Sequence, residues 1–591
     1  MLTFMSGLVG TSAHSAIALP SKNAVIGSCR NRVRRASTLR LSAEMRENGN
    51  AKPNDHPAAN GAPVSHDFTQ LRPDVRRNTQ YMTSAHGQSV QEWDKSLSAG
   101  DRGPVLLEDH FLIEKMQQFD REKVPERVVH ARGMVAKGYF EVTDDASDIT
   151  MAHFLGQKGR RTPVAARFST VTHEKGSPEG LRDVRGFSVK MYTEQGNWDF
   201  VGNNIPVFFI KDGIMFPDLV HSLRPNPKTH IQEGWRILDF LGNYPESTLM
   251  LTYLLDYDGI PKDWRHMEGW SVNTFKLINS QGQERYVKFH FACDQGVETM
   301  SDPGAQAAGI LNMRHSHATH DLVNAIAAGD FPSWTLEVQT MDPAEEGTLD
   351  FDPLDCTKNW PQDKFPLRKV GKMVINQNID NFHNEAEQIA FNPGTVVPGI
   401  TFSNDKVLQS RVFSYQDTQR YRIGNHYNML PINAPRCPFH LNNEDGAQNW
   451  MHRDNEINYQ PSVMAPAADP PSVKNNNVSQ EKISGQRVRS GYPSDGHVDE
   501  YKQAGDRYRS FDGARKAHFE LHVVEWMADP KGSDELRELW LGHWSKVDEG
   551  LGSRIRVELA GRQGLGSVVQ KTKDFFTDQS SEEHSIAATK A

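Results

Sequence analysis

Cysteine is scarce in this chain of 591 residues: Cys29, Cys293, Cys356 and Cys437 are all there is. No two form a Cys-x-x-Cys pair, which excludes a disulfide-built scaffold and a thiolate zinc site on that spacing. Long hydrophobic runs are missing too. The longest near the middle, Ile205-Pro206-Val207-Phe208-Phe209-Ile210, falls far short of the ~18 apolar residues of a membrane span. No membrane is therefore expected as a partner. Residues 1–43 hold no Asp or Glu, but six basic residues: Lys22, Arg30, Arg32, Arg34, Arg35 and Arg40. The rest of the chain thus carries the acidic excess behind the formal net charge of −9. An acidic body lacks the basic footprint that a phosphate backbone needs, so nucleic acid is not expected as a partner either. What remains, 37% apolar and 24% charged, is the composition of a folded water-borne protein. Its length suggests about four domains.

The nearly acid-free start over 1–45 is rich in Ser, Ala and Arg, and no compact apolar stretch follows its basic residues. That composition predicts an organellar transit peptide, for chloroplast or mitochondrion, cut near residues 35–45. A plain tail, with a peroxisomal or cytoplasmic protein behind it, is the alternative; the final Ala588-Thr589-Lys590-Ala591 is not a Ser-Lys-Leu address. Residues 46–102 read as a polar N-terminal arm. Within 103–375, short strands are expected at 162–171, 186–192, 204–210 and 286–291, separated by turn signals such as Gly196-Asn197. Helices should interrupt them around 216–255. This predicts an α+β fold built on an antiparallel β-barrel with inserted helices. Residues 376–500 have little periodicity and must wrap across the surface of something else. Helical spacing returns in 501–575, with Phe519, Val523 and Trp526 in one run and Leu536, Trp540 and Trp544 in the next.

Three segments carry residues suited to chemistry. His130 follows the charged run Asp120 to Arg127 and sits beside Val128 and Val129; taken alone it reads as a structural histidine. The second segment is Gly202-Asn203-Asn204. In the third, Arg411, Tyr415, Thr418 and Arg422 recur at helical spacing on one face, with Ser403 as a candidate cap. A cation one turn before a phenol favours its anionic form, although an ordinary amphipathic helix with a snorkelling Arg has the same pattern. The trio His315, His317 and His320 lacks the standard i,i+4 zinc pairing and reads as surface or packing.

Taken in order, these segments resemble the monofunctional haem catalases of the small-subunit type. The likeness runs from about Gly103 to Ser462, with a weaker helical likeness to about residue 560. Arg127-Val128-Val129-His130, Gly202-Asn203-Asn204, and Arg411-x-Phe413-x-Tyr415-x-Asp417-Thr418-x-Arg420 match the family's motifs, as do Pro163-x-x-x-Arg167-Phe168-Ser169-Thr170-Val171 and Arg185-Gly186-Phe187. Only 176 residues follow Tyr415, too few for the flavodoxin-like addition of the large members.

The resemblance implies a haem-bearing barrel, a wrapping segment that holds the proximal helix, and a C-terminal helical domain. It implies disproportionation of hydrogen peroxide to water and dioxygen through an oxoferryl intermediate, as protection against oxidative stress, in a homotetramer. Tyr415 would be the iron ligand, supported by Arg411. His130 would be the acid–base group and Asn203 a hydrogen-bond donor, with Ser169 orienting His130. Arg127, Arg167 and Arg422 would pair with the propionates, and Val129 and Phe216 would contact the cofactor. Val171 would be channel wall and Asp183 the channel acid. Two departures stand out. Met134 and Val135 replace small residues and are expected to reshape the distal side, and Gln416 replaces a Pro.

A related group rearranges fatty-acid hydroperoxides and carries a hydroxyl residue before the distal His; Val129 here argues against it. A non-enzymatic haem carrier would not need His130, Asn203 and Ser169 together with Arg411 and Tyr415. NADPH is not expected: where nucleotide-binding members have His-x3-Phe-x2-Ser-x-Arg, this chain has Leu249, Tyr253, Asp256 and Asp258. Two carboxylates in place of an Arg oppose a phosphate.

Overall fold

The structure, a computed structural model, describes residues 81–300, 315–443, 445–451, 455–466, 478–489 and 498–562. The expected leader over 1–45, the arm as far as residue 80, parts of the wrapping segment and the end of the C-terminal domain lie outside the described residues. Two units are distinguished, dividing at Lys123 and Val124. In the first, short bridges (Thr83 to Ser89, Ser98 to Val105) precede helix α1, His110–Arg121. Asp109 caps α1, its carboxylate accepting from Leu112 N at 3.1 Å.

The second unit is organised by strands β1 Gly133–Val142, β2 Arg161–Ser169, β3 Gly186–Thr193, β4 Gly196–Asn203, β5 Gly269–Trp270, β6 Phe275–Ile278, β7 Glu284–Cys293, β8 Ser333–Met341, β9 Leu367–Asn378 and β10 Ile400–Phe402. Every pairing is antiparallel, in the order β10-β6-β7-β5-β4-β3-β2-β1-β9-β8. A further β7–β8 ladder closes eight of the strands into a barrel and leaves β6 and β10 as an extension. Closure removes the open edges that a flat sheet would expose.

Alternation along each strand decides what the barrel contains. Phe168 of β2, Phe187 and Val189 of β3, Trp198 and Phe200 of β4, and Trp334 of β8 share one dry core. Phe187 meets Phe168 at 5.1 Å and Phe291 at 5.5 Å between ring centroids. The barrel is therefore filled, and any site must lie on its outside, where Arg167, Ser169, Val201 and Asn203 occupy the alternate positions.

Helices α2 Phe216–Leu223, α3 Gly234–Gly242 and α4 Ser247–Leu254 interrupt the sheet after β4, as the spacing predicts. Helix α5, His317–Ala328, precedes β8, and α6, Lys406–Arg422, follows β10. The C-terminal helices α7 Lys502–Ser510, α8 Gly513–Met527 and α9 Asp534–Val547 bury Phe519, Val523, Trp540 and Trp544 against α3 and α4, whereas Trp526 and Leu536 stay half-buried.

Three expectations fail locally. Residues 204–210 form no strand: their apolar run is buried on every side, Pro206 has no N–H for a ladder, and Phe208 N bonds to Cys356 O at 2.9 Å instead. Gly196 and Asn197 begin β4, since Thr193 pairs with Gly196 and the hairpin turn is Glu194-Gln195. Asp405, and not Ser403, caps α6, accepting from Val407 N at 2.9 Å and Leu408 N at 3.0 Å. Beyond residue 378, Ile389 and Phe391 pack on Val135, Ala165 and Val201 outside the barrel.

Candidate active site

His130 stands just before β1 with φ of +63°, a left-handed conformation rarely used outside Gly, Asn and Asp. The fold holds it there at three points. Its N–H donates to Val171 O at 2.9 Å, its carbonyl accepts from the Arg167 guanidinium at 2.8 Å, and Nδ1 lies 2.9 Å from Ser169 Oγ. Gly186 of β3 makes room for this arrangement. A Cβ at that position would lie 2.3 Å from His130 Nδ1 and 2.4 Å from Ser169 Oγ. Burial, then the charges of Arg167, Arg411 and Arg127, push the imidazole down to about 3, so it is neutral at ordinary pH.

Across from it, α6 presents Arg411 and Tyr415 one turn apart. Arg411 donates to Tyr415 Oη at 3.2 Å, to Val201 O at 2.9 Å and to Asn273 Oδ1 at 2.6 Å. Asn273 in turn donates to the capping Asp405 at 2.7 Å. Val272, which carries the chain into Asn273, has φ of +64°, a strained conformation for a β-branched residue.

These walls enclose a cavity of about 390 Å³. Val129, His130, Val171, Asn203 and Phe216 line it together with Arg411 and Tyr415. Ser169 stands directly behind His130. Asp183 does not line the cavity; its carboxylate accepts from Val171 N at 2.8 Å and Thr172 N at 2.9 Å, and so holds Val171, which does. Met134 and Val135 do not line it either, which corrects the expected reshaping of the distal side: alternation sends Met134 into the barrel core and Val135 into the cluster behind Tyr415. His317 and His320 lie on α5 away from the cavity, and His317 Nε2 contacts Lys262 O at 2.8 Å.

Arg127, Arg167 and Arg422 form a separate group beside the cavity. Arg127 and Arg422 both reach the Glu387 and Ile389 carbonyls. Burial lowers all three guanidiniums, Arg167 to about 9 and Arg422 to about 10, and their mutual repulsion lowers Arg127 and Arg167 further. Glu387 is the carboxylate that opposes this, and it is itself paired with Lys175 at 3.0 Å. Arg167 Nε is buried without a partner. Such a cluster calls for a dianionic group on its inner side.

Residues 83–466 match the catalase family, and residues 493–559 match a family described as catalase-related immune-responsive. The chain belongs to the catalase family. The match begins earlier than the Gly103 at which the motifs set in. Catalase-1 of Triticum aestivum is 50% identical over 496 residues, covering 84% of this chain and 99% of that protein. Catalase-1 of Arabidopsis thaliana is 51% identical, with 83% and 98% covered, and the catalase of Helianthus annuus is 52% identical, with 82% and 96% covered. Among solved structures, a fungal catalase superposes with a TM-score of 0.78 at 35% identity, covering 82% of this chain and 97% of that one. A bacterial catalase gives 0.76 at 36%, covering 83% and 97%.

Catalase membership implies a haem, and the residues fit one. The arginine cluster with its orphaned Arg167 Nε suits two propionates, the cavity walls are largely apolar, and Tyr415 offers an oxygen donor backed by a cation. The motifs did not reveal the work of Gly186, Asn273 or Asp405. The close approach that demands a glycine at position 186 is set by His130, just before β1, and by Ser169 on the neighbouring β2.

Proposed function

We propose that this cavity is where the chain disproportionates hydrogen peroxide to water and dioxygen, with His130 and Asn203 acting on the peroxide and Tyr415 holding a bound haem. The observation that carries the reading is the placement of His130 and Tyr415 on the walls of one enclosed cavity. When bound, the haem supplies the two-electron redox chemistry that no side chain here offers. Tyr415 would hold its iron, Arg411 would support the phenolate, and Arg127, Arg167 and Arg422 would take its propionates.

The chain's own part is proton transfer. With Nδ1 engaged by Ser169, His130 exchanges protons through Nε2, taking one from the first peroxide oxygen and returning it to the second as water leaves. A neutral imidazole is the right starting state for that base. Asn203 donates a hydrogen bond to the peroxide, and Val129, Val171 and Phe216 exclude bulk water. Over the full cycle two hydrogen peroxides give two waters and one dioxygen; the haem would supply the two-electron exchange between them, and His130 relays the protons. Adding hydrogen peroxide to the purified protein and following oxygen at an electrode tests this.

We further propose that no NADPH is retained. Asp256 and Asp258 are not free anions as their sequence suggests. Arg507 pairs with them at 2.9 and 2.6 Å and lies 3.7 Å over the Tyr253 ring, while Arg515 Nε meets Asp256 at 2.7 Å. The C-terminal helices thus occupy the carboxylates, and no Arg remains for a 2′-phosphate at position 258. Assay of nucleotide released on denaturation decides it. A homotetramer and an organellar address, the latter resting on the composition of 1–45, are tested by sedimentation and by the N-terminal peptide of the mature protein.

A further inference from the structure

Behind the cavity wall, two buried lysines from different segments converge on one carboxylate of the C-terminal region. Lys211 ends the segment that presents Phe208 and Phe209 to the cavity, and Lys358 lies in the stretch before β9. The two segments are laced together: Phe208 N donates to Cys356 O at 2.9 Å, and Cys356 Sγ donates to Ile210 O at 3.3 Å. Lys211 pairs with Asp355 at 3.3 Å and also with Glu500. Lys358 reaches Glu500 Oε2 at 2.5 Å, with Asp355 more distant at 3.9 Å. At the start of α7, Gln503 exchanges bonds of 2.9 and 3.1 Å with the Asn359 backbone.

Lys211 and Lys358 are both buried, at 7% and 1% exposure. Ammonium groups so far from water require anions in contact. Removing Glu500 takes away an anion that both lysines contact. Releasing Glu500 therefore disturbs the two laced segments first, and through them Phe208, which stacks on Phe216 in the cavity wall.

We infer that Glu500 is a positioning residue for the cavity wall: through Lys211 and Lys358 it fixes the segments that present Phe208 and Phe209, and so sets the aperture of the cavity. The inference rests on the peroxide reading of the cavity, so its test reads the wall separately from the activity. Cys356, inside the laced region, is the reporter.

Full-length protein is exposed in the native state to iodoacetamide, and labelling of each cysteine is followed by peptide mass spectrometry. Glu500→Gln should label at Cys356 at least about tenfold faster than the parent, with Cys293 unchanged, because the local opening becomes easier. Arg507→Gln, which loosens the same helices at Asp256 and Asp258, should not reproduce this. The ratio of turnover with tert-butyl hydroperoxide to turnover with hydrogen peroxide should rise in Glu500→Gln and not in Arg507→Gln. Should Glu500→Gln not accumulate, Glu500→Asp, which keeps the charge and shortens the reach, gives the same readouts. Unchanged Cys356 labelling, equal acceleration in Arg507→Gln, or an unmoved substrate ratio would each overturn the inference. A parent protein that evolved no oxygen would remove the peroxide reading while leaving the labelling result intact.

Discussion

Replacing Gly186 by Ala is a small change with a large expected effect. The position lies outside the left-handed region, so an alanine meets no backbone strain and the perturbation is purely steric. The added methyl would sit 2.3 Å from His130 Nδ1 and 2.4 Å from Ser169 Oγ, where carbon contacts settle at about 3.5–4.0 Å. One of the partners, or β3 itself, must move by about 1 Å. Overpacking of this kind costs about 1–3 kcal/mol, and loss of the His130–Ser169 bond about 0.5–1.5 kcal/mol more. Misplacing an acid–base group by about 1 Å lowers turnover about a hundredfold. Ser169→Ala removes the bond without displacing the ring, and should lower turnover about tenfold or less. Oxygen evolution, normalised to bound haem and read beside a thermal melt, separates the two variants. A Gly186→Ala protein that matched the parent, or that lost no more than Ser169→Ala, would show that the packed His130–Ser169 pair does not govern the reaction.

Other outcomes follow from the same geometry. Tyr415→Phe should bind haem poorly or with a changed absorption spectrum, since it removes the oxygen donor that Arg411 supports; an unchanged spectrum would assign the ligand elsewhere. Arg507→Ala should destabilise the protein by about 3 kcal/mol, the low end for breaking a buried pair, because Arg515 still contacts Asp256; a melting temperature equal to the parent's would contradict this. The pH dependence has a definite sign. The folded pKa of His130, about 3, lies below its ordinary 6.5, so the unfolded chain binds the extra proton between those values. His130 thus favours the fold above the higher value, and stability falls as pH drops through that window. Turnover should be flat from about pH 5 to about pH 8, where the imidazole stays neutral; a decline centred near the ordinary histidine value would refute that state.

The chemistry was legible in the sequence, and much of the geometry behind it was not. His130, Asn203, Arg411 and Tyr415 stand in short local motifs, and the structure brings them to one cavity. The three arginines were named together only through the family resemblance, and the structure groups them beside the cavity. Strands could be read where alternation is strong, as at 162–171 and 186–192. The run at 204–210 misled because a stretch buried on all sides looks like a core strand, whether or not its N–H groups face a ladder. Met134 and Val135 were misplaced because position next to His130 in sequence says nothing of the face a strand turns toward it. Gly186, Asn273, Asp183 and Glu500 act through partners 11 to 289 residues away, and no local pattern encodes such contacts.

The most direct test of the central claim is oxygen evolution by His130→Ala protein with its haem content measured. The account predicts that the parent releases one dioxygen for every two peroxides, and that the variant retains haem but loses nearly all of that release, because no other base adjoins the peroxide. Haem-loaded His130→Ala protein that evolved oxygen at the parent's rate would contradict the assignment of this cavity as the seat of the reaction.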